Sequence, residues 1–353
     1  MKKHIVFFFL VSISTYAQTT LNADGQSNTY SLINSVLAPS GNVVEVPDCA
    51  HPAFGEHIQQ AWDAELEDYV FTFYAHTDED NDRCINYDRQ RTEIKTYGSS
   101  PNELKGFLGD TVIYRWKFKL DANFKPSPNF THLHQIKAVG GSQSGMPTIT
   151  LTARKASPNK LQLIHAETND QEKITQINLD QVTGQWIQAE ETITYGEVGL
   201  ANYQLLLTQI DSNQIILDYS SQNLRMWKTG ANFLRPKWGI YRSLLNASYL
   251  RDECVKFADF YIEKIQLANQ SQGALKKKKT LIYPIPTKGN LFIETGKEES
   301  LSSISIFNMN GQEISTLSYP TNPIDISSLP KGMYLMKVVT STQNFFQKVI
   351  IRD

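Results

Sequence analysis

The stretch Val112-Ile113-Tyr114-Arg115-Trp116-Lys117-Phe118-Lys119-Leu120 alternates apolar or aromatic with basic side chains, the pattern of a strand buried on one face and open on the other. Similar runs occur at Val43 to Val46, Tyr69 to Tyr74, Thr148 to Ala153, Leu161 to His165, Gln204 to Gln209, Gln214 to Tyr219 and Phe257 to Ile265. Gly, Pro, Asn and Asp separate them, and only Gly55 to Glu67 and Leu244 to Val255 read as helical or irregular. With no crossover helices to cover a sheet, two sheets must cover each other. The sequence therefore predicts an all-β chain built on a sandwich or jelly roll.

The two ends follow a different logic. Lys2 and Lys3, the short apolar stretch Ile5 to Ile13 and the small residue Ala17 stand in the order of a secretory signal cleaved after Ala17; a first buried strand is the alternative. Ile5 to Ile13 is too short to span a bilayer, which takes about 20 apolar residues, and no later segment is long and apolar enough to do so. Strands resume after residue 280, but Ala268 to Gly273 is polar and Lys276 to Lys279 is strongly basic, which reads as a linker. The expected organisation is a signal at 1–17, a β domain at 18–267, a linker at 268–280 and a small β sandwich at 281–353.

Charged residues make up 20% of the chain and the formal net charge is -2, which gives no global attraction for nucleic acid but leaves room for a local basic groove. Cys49, Cys84 and Cys254 would sit in a compartment that permits disulfides, so one bridge and one free thiol are expected, with the pair left open. A monomer is expected.

Three segments concentrate polar residues where a sheet can present them together. In Asp88 to Lys95, strand alternation puts Arg89, Arg91, Glu93 and Lys95 on one face; such a row can simply face solvent, but guanidinium forks suit carboxylates. In Asn129 to Lys137, alternation puts Gln135 and Lys137 with Leu133 and leaves His132, His134 and Ile136 opposite, the histidines as a hydrogen-bonded core pair. A buried lysine there needs a counter-charge or a ligand. In Arg235 to Arg242, Lys237, Gly239 and Tyr241 share a face, with the glycine leaving room for a sugar ring.

Together these strands supply what β-elimination from a uronic acid needs: a grip on the carboxylate, a base for the proton on the adjacent carbon and an acid for the departing oxygen. Arg91 and Gln135 suit the grip, and Lys137 and Tyr241 suit the proton transfers. Arg89, Glu93, His134, Lys237 and Arg242 are candidate substrate contacts around them.

The same residues carry a family resemblance. Arg91-Thr92-Glu93-Ile94, Gln135-Ile136-Lys137 and Lys237-Trp238-Gly239-Ile240-Tyr241 resemble the three signature strands of the jelly-roll polysaccharide lyases, which include alginate, glucuronan, heparin I and ulvan lyases. The resemblance implies a tyrosine acid at Tyr241. Lysine at 137, where histidine usually stands, points towards the ulvan lyase group, with His134 as a rival if a bulge displaces the strand. From Leu281 onward, Tyr283-Pro284-Ile285-Pro286-Thr287-Lys288-Gly289, Leu329-Pro330-Lys331-Gly332-Met333-Tyr334 and the basic end Lys348 to Arg352 resemble the C-terminal sorting domain of cargo exported by the type IX system of Bacteroidetes. A generic carbohydrate-binding or adhesive sandwich is the alternative for this tail.

The expected function is thus an exported, endo-acting lyase on an acidic polysaccharide, ulvan first and glucuronan, alginate or a heparin-like polymer next. Its partners would be that polymer and the export machinery. A non-catalytic carbohydrate-binding protein is the second reading. A glycoside hydrolase ranks third, since its two carboxylates set across a cleft are not evident. The chemistry requires no cofactor. A structural calcium is an accessory expectation, at the acidic run Asp78 to Asp82 or, as jelly-roll carbohydrate domains imply, between Glu45 and Asp259.

Overall fold

The computed structural model describes residues 17–265, 281–295, 300–308, 312–318, 320, 322–340 and 344–352. The predicted signal, apart from Ala17, and the predicted linker lie outside the described residues. The chain divides into two units after Ala268.

The first unit runs through β1 (Ala17–Leu21), a single α-helix, α1 (Thr29–Leu37), β2 (Val44–Glu45), β3 (Ile58–Asp63), β4 (Asp68–Ala75), β5 (Arg89–Lys95) and β6 (Thr111–Lys119). It continues with β7 (Thr131–Val139), β8 (Ile149–Arg154), β9 (Lys160–His165), β10 (Glu172–Asn178), β11 (Trp186–Thr194) and β12 (Asn202–Gln209). β13 (Ile215–Ser221), β14 (Phe233–Ser243) and β15 (Glu253–Ile265) complete it. One antiparallel sheet has the order β13-β12-β11-β6-β15-β4-β3, with β1 also on β15; the other has the order β10-β9-β8-β7-β14-β5-β2. Successive strands cross repeatedly between the sheets, giving the β-jelly-roll sandwich expected for this pattern.

In β6, burial alternates residue by residue. Tyr114, Trp116 and Phe118 point inward, while Arg115 and Lys117 point out to pair with Glu190 and Asp259. From the facing sheet, Trp238 of β14 meets Tyr114 at 6.3 Å and Trp116 at 6.1 Å, ring centre to ring centre. Buried phenylalanines such as Phe73, Phe118 and Phe257 fill the rest, each contributing roughly 1.5–3 kcal/mol of transfer free energy.

Three regions depart from the reading of the sequence, the first being α1, which lies outside both segments read as helical or irregular. Gly55 to Glu67, expected to be helical or irregular, contains strand β3 at a sheet edge. Trp62 is 57% exposed there, so no clean alternation marks the strand. The segments of β10 and β11 gave no signal that was read, yet both are strands.

The second unit contains β16 (Leu281–Tyr283), β17 (Asn290–Glu294), β18 (Leu301–Phe307), β19 (Glu313–Ser318), β20 (Ile324–Asp325), β21 (Gly332–Thr340) and β22 (Asn344–Ile351). They form sheets β16-β17-β20 and β19-β18-β21-β22. A separate core of Leu291, Ile304, Ile306, Met336, Val338 and Val349 lies between them. The Tyr334 hydroxyl closes the Leu-Pro-Lys-Gly step by donating to the Pro330 carbonyl at 2.7 Å.

Candidate active site

Strand β14 is paired on both sides, by β5 and by β7, and its side chains on the face away from the core form the middle row of a charged patch of the sheet, called the groove below. Across it run four sets of neighbours. Arg235 lies opposite Lys137, Lys237 opposite both Lys95 and Gln135, Gly239 opposite Glu93, and Tyr241 opposite both Arg91 and His132.

Glu93 is the hub of the groove. It has no exposed surface and receives Arg91 Nη1 at 2.5 Å, Lys237 Nζ at 2.5 Å and Gln135 Nε2 at 2.5 Å. Glu45 of β2 forms a second hub, with Lys237 at 2.6 Å, Lys95 at 2.7 Å and Arg83 at 2.7 Å. Burial alone would raise both carboxyls, but Lys237 and Arg91 outweigh it and hold each below the usual carboxylate range. Burial pushes the Lys237 ammonium down to about 8, against the pull of Glu93. Asp82 grips Arg91 Nε at 2.8 Å, which locks the guanidinium 3.7 Å over the Tyr241 ring.

Two cations stay outside this network. Among the described residues, neither Lys137 nor Arg235 forms an ion pair. Arg235 is 7% exposed, and its Nε and Nη1 have no hydrogen-bond partner. Burial lowers the affinity of both for protons, and for Lys137 the neighbouring Arg235 lowers it further. The half-buried Lys137 and the buried Arg235, whose guanidinium lies 5.1 Å from the Tyr97 ring, thus stand side by side with no counter-ion among the described residues, an arrangement suited to an incoming anion.

The Tyr241 end is different. Its hydroxyl oxygen accepts from Arg89 Nη1 at 3.0 Å, which leaves its own proton free to point into the groove. Beside it, the His132 ring lies 5.7 Å from the Tyr241 ring and stacks on Phe130 at 4.8 Å. His132 Nδ1 is buried without a hydrogen-bond partner, and burial pushes the ring down to about 3, so it stands neutral.

Alternation predicts His132 in the core, and the structure reverses this. Register shifts on both sides of β7, between His132 and His134 against β8 and between Trp238 and Tyr241 against β14, break the alternation at Leu133. Leu133 and His134 turn inward, and His132 turns out beside Tyr241. The bulge held in reserve for His134 thus exists but delivers the other histidine. His134 is no substrate contact: it is 1% exposed, packs on Trp116 at 4.4 Å and meets Glu191 at 2.8 Å between the sheets. Arg242 is likewise corrected, since it faces inward, fully buried, against Gln90 and the Ala75 carbonyl.

Other expectations shift as well. Lys137 lies opposite Arg235, six residues along β14 from Tyr241, roughly 20 Å at strand rise, so the two do not form a proton-transfer pair. Arg91 and Gln135 share the face with Tyr241 but are committed to Glu93. Lys237 also shares the face but is held between Glu45 and Glu93, and Arg89 is held by Asp88 at 2.6 Å. Gly239 serves the backbone and not a sugar ring: at φ +144° a Cβ there would lie 2.1 Å from the Thr92 carbonyl oxygen of β5. Glu45 and Asp259 cannot share an ion, because they lie in different sheets and Asp259 pairs with Lys117 at 2.6 Å. In the acidic run, Asp80 is surrounded by histidines and Asp82 by arginines, which are not the companions of a calcium loop. Cys49 and Cys84 form the disulfide and Cys254 is free.

Arg235 stands two residues before Lys237 and was legible by the same spacing that singled out Lys237, Gly239 and Tyr241. His132 had no such signal, because strand bulges are set by partners distant in sequence.

The comparisons with known proteins divide the chain in the same way. Residues 281–352 match the family model of the secretion system C-terminal sorting domain. The tail is a type IX sorting domain. It marks the protein for export to the cell surface or beyond. Among the described residues, no helix is long and apolar enough to cross a membrane. No curated protein matches the chain by sequence. Among solved structures, an endo-β-1,4-glucuronan lyase from the fungus Trichoderma reesei is 11% identical, over 58% of this chain and 86% of that one, with a TM-score of 0.43. A marine alginate lyase from Aplysia kurodai is 12% identical, over 69% and 97%, with a TM-score of 0.45. An alginate lyase from Pseudomonas aeruginosa is 14% identical, over 62% and 96%, with a TM-score of 0.40. At such similarity the function has to be read from the groove.

Proposed function

We propose that this protein is an endo-acting polysaccharide lyase that cleaves a uronate-containing acidic polymer by β-elimination. The observation that carries the proposal is the pairing, on one face of the sheet, of a neutral His132 whose Nδ1 has no hydrogen-bond partner with a Tyr241 hydroxyl oriented by Arg89. His132 takes the proton from the carbon that bears the carboxylate. The electron pair left behind forms the double bond to the neighbouring carbon, the glycosidic carbon–oxygen bond breaks, and Tyr241 protonates the departing oxygen. An incoming carboxylate also raises the basicity of His132 at the moment it is needed. Solvent then returns the proton from the imidazolium to the phenolate.

Lys137, read from the sequence as a candidate base, acts with Arg235 as a binding pair for a second anionic group further along the chain. That requirement favours a densely anionic polymer, and a sulfated uronate polymer of the ulvan class meets it best. A row of polar side chains that runs to either side of Gly239 supports internal cleavage, and export supports a substrate too large to import.

The test is to incubate the purified protein with ulvan, glucuronan, alginate and heparin and to follow the ultraviolet absorbance of the unsaturated uronate end. A rise with ulvan is expected. A folded protein that gives no rise on any of the four is not a lyase of this kind.

A further inference from the structure

Away from the groove, four side chains converge that the elimination chemistry does not use. His51 lies in the loop at 46–57, His57 directly precedes β3, His76 directly follows β4, and Asp80 lies between β4 and β5. One donor atom from each falls within 4.8 Å of all the others. Asp80 Oδ1 lies 2.9 Å from His57 Nε2 and 3.1 Å from His51 Nδ1, and Asp80 Oδ2 lies 3.1 Å from His76 Nδ1. Four donors at tetrahedral zinc bond lengths stand about 3.3 Å apart, so small movements would seat an ion among these.

A second, outer ring of carboxylates orients the histidines. Asp48 Oδ1 takes His57 Nδ1 at 2.8 Å, and Tyr30 fixes Asp48 by donating to its Oδ2 at 2.9 Å. Glu79 lies 3.4 Å from His51 Nε2. A carboxylate on the far nitrogen is the arrangement that fixes the tautomer and ring of a metal-bound histidine. The Phe54 ring packs on His76 at 4.3 Å and on His57 at 4.8 Å. The Cys49–Cys84 disulfide ties together the two loops that carry His51 and Asp80.

We propose that His51, His57, His76 and Asp80 bind a single zinc ion in a closed, structural site. Three imidazoles and one carboxylate suit zinc, whereas calcium and magnesium prefer all-oxygen shells. With four protein donors no position is left for a substrate, so the ion stabilises the fold and takes no part in the chemistry. Its effect reaches the groove through the β4–β5 loop: Asn81 accepts from the Arg91 backbone N–H at 3.3 Å, and Asp82 holds the Arg91 side chain. The ion therefore anchors the loop that sets Arg91 over the Tyr241 ring. This last consequence rests on the lyase reading, whereas metal binding does not.

The test uses the untagged full-length processed chain, stripped with a chelator and titrated with zinc against a chromogenic competitor. A single tight equivalent is expected, with a rise in the thermal midpoint of about 5–10 °C at a hundredfold excess over the dissociation constant. His51→Ala and Asp80→Asn should each weaken zinc binding at least a hundredfold. Cobalt in the stripped wild type should give the visible bands of a tetrahedral ion without a thiolate charge-transfer band. That measurement stands even if the variants do not fold. Folded wild type that binds no zinc, folded variants that bind it equally well, an octahedral or thiolate cobalt spectrum, or an equal thermal shift with calcium would each overturn the site, whatever the outcome on polysaccharides.

Discussion

Replacing Tyr241 by phenylalanine separates chemistry from structure more cleanly than any other change in the groove. The ring is 9% exposed and carries three neighbours that do not depend on the hydroxyl: Arg91 at 3.7 Å, Phe130 at 5.1 Å and His132 at 5.7 Å. Phenylalanine keeps all three. The variant loses only the hydrogen bond from Arg89, whose side chain is 35% exposed and still pairs with Asp88, so water can replace the lost acceptor at a cost of about 1 kcal/mol. Turnover should suffer far more. A positioned general acid contributes about 10²–10⁴-fold, or roughly 3–5 kcal/mol at 1.36 kcal/mol per decade. The assay is the initial rate of ultraviolet absorbance on the best polymer, with KM and the thermal midpoint measured on the same preparation. We expect kcat to fall at least a hundredfold, with KM within about threefold and the midpoint within a few degrees. A folded variant with kcat within tenfold of wild type would remove Tyr241 from proton transfer.

His132→Phe should keep the stack on Phe130, leave stability unchanged or raised because an unpartnered buried nitrogen disappears, and lower kcat at least a hundredfold; retained turnover would return the base to Tyr241. Arg235→Met removes a buried, unpaired charge, so unfolding in urea should become harder by about 1–3 kcal/mol while KM for the polymer rises around tenfold; a loss of stability with unchanged KM would refute the anion site. On the acid side, Glu45, Glu93 and Asp82 are all held below their unfolded values by paired cations. Their contribution is present above pH 4 to 5 and is lost as pH falls below it, at about 1.4 kcal/mol per pH unit for each carboxylate and about 4 for the three together. Urea midpoints measured at pH 5, 4 and 3 report this slope, and a flat profile would show that the network is not formed.

The sequence by itself determined the class of fold and the presence of a sorting domain at the C-terminal end. Alternation in Tyr114 to Lys119 is a local property that no partner can change, and the motifs of the sorting domain lie in short contiguous stretches. It also put Arg91, Glu93, Lys237 and Tyr241 on a common face, because strand periodicity holds as long as pairing is regular. The tertiary structure decided where that regularity stops. The bulge at Leu133 depends on β8 and β14, which pair with β7 from far along the chain, and it exchanges His132 for His134 in the groove. Which charges are spent and which are free was equally beyond local reading. Glu93 is saturated by Arg91 of its own strand, Lys237 of β14 and Gln135 of β7, while among the described residues Lys137 and Arg235 form no ion pair, because which charges meet depends on neighbours across strands as well as along them.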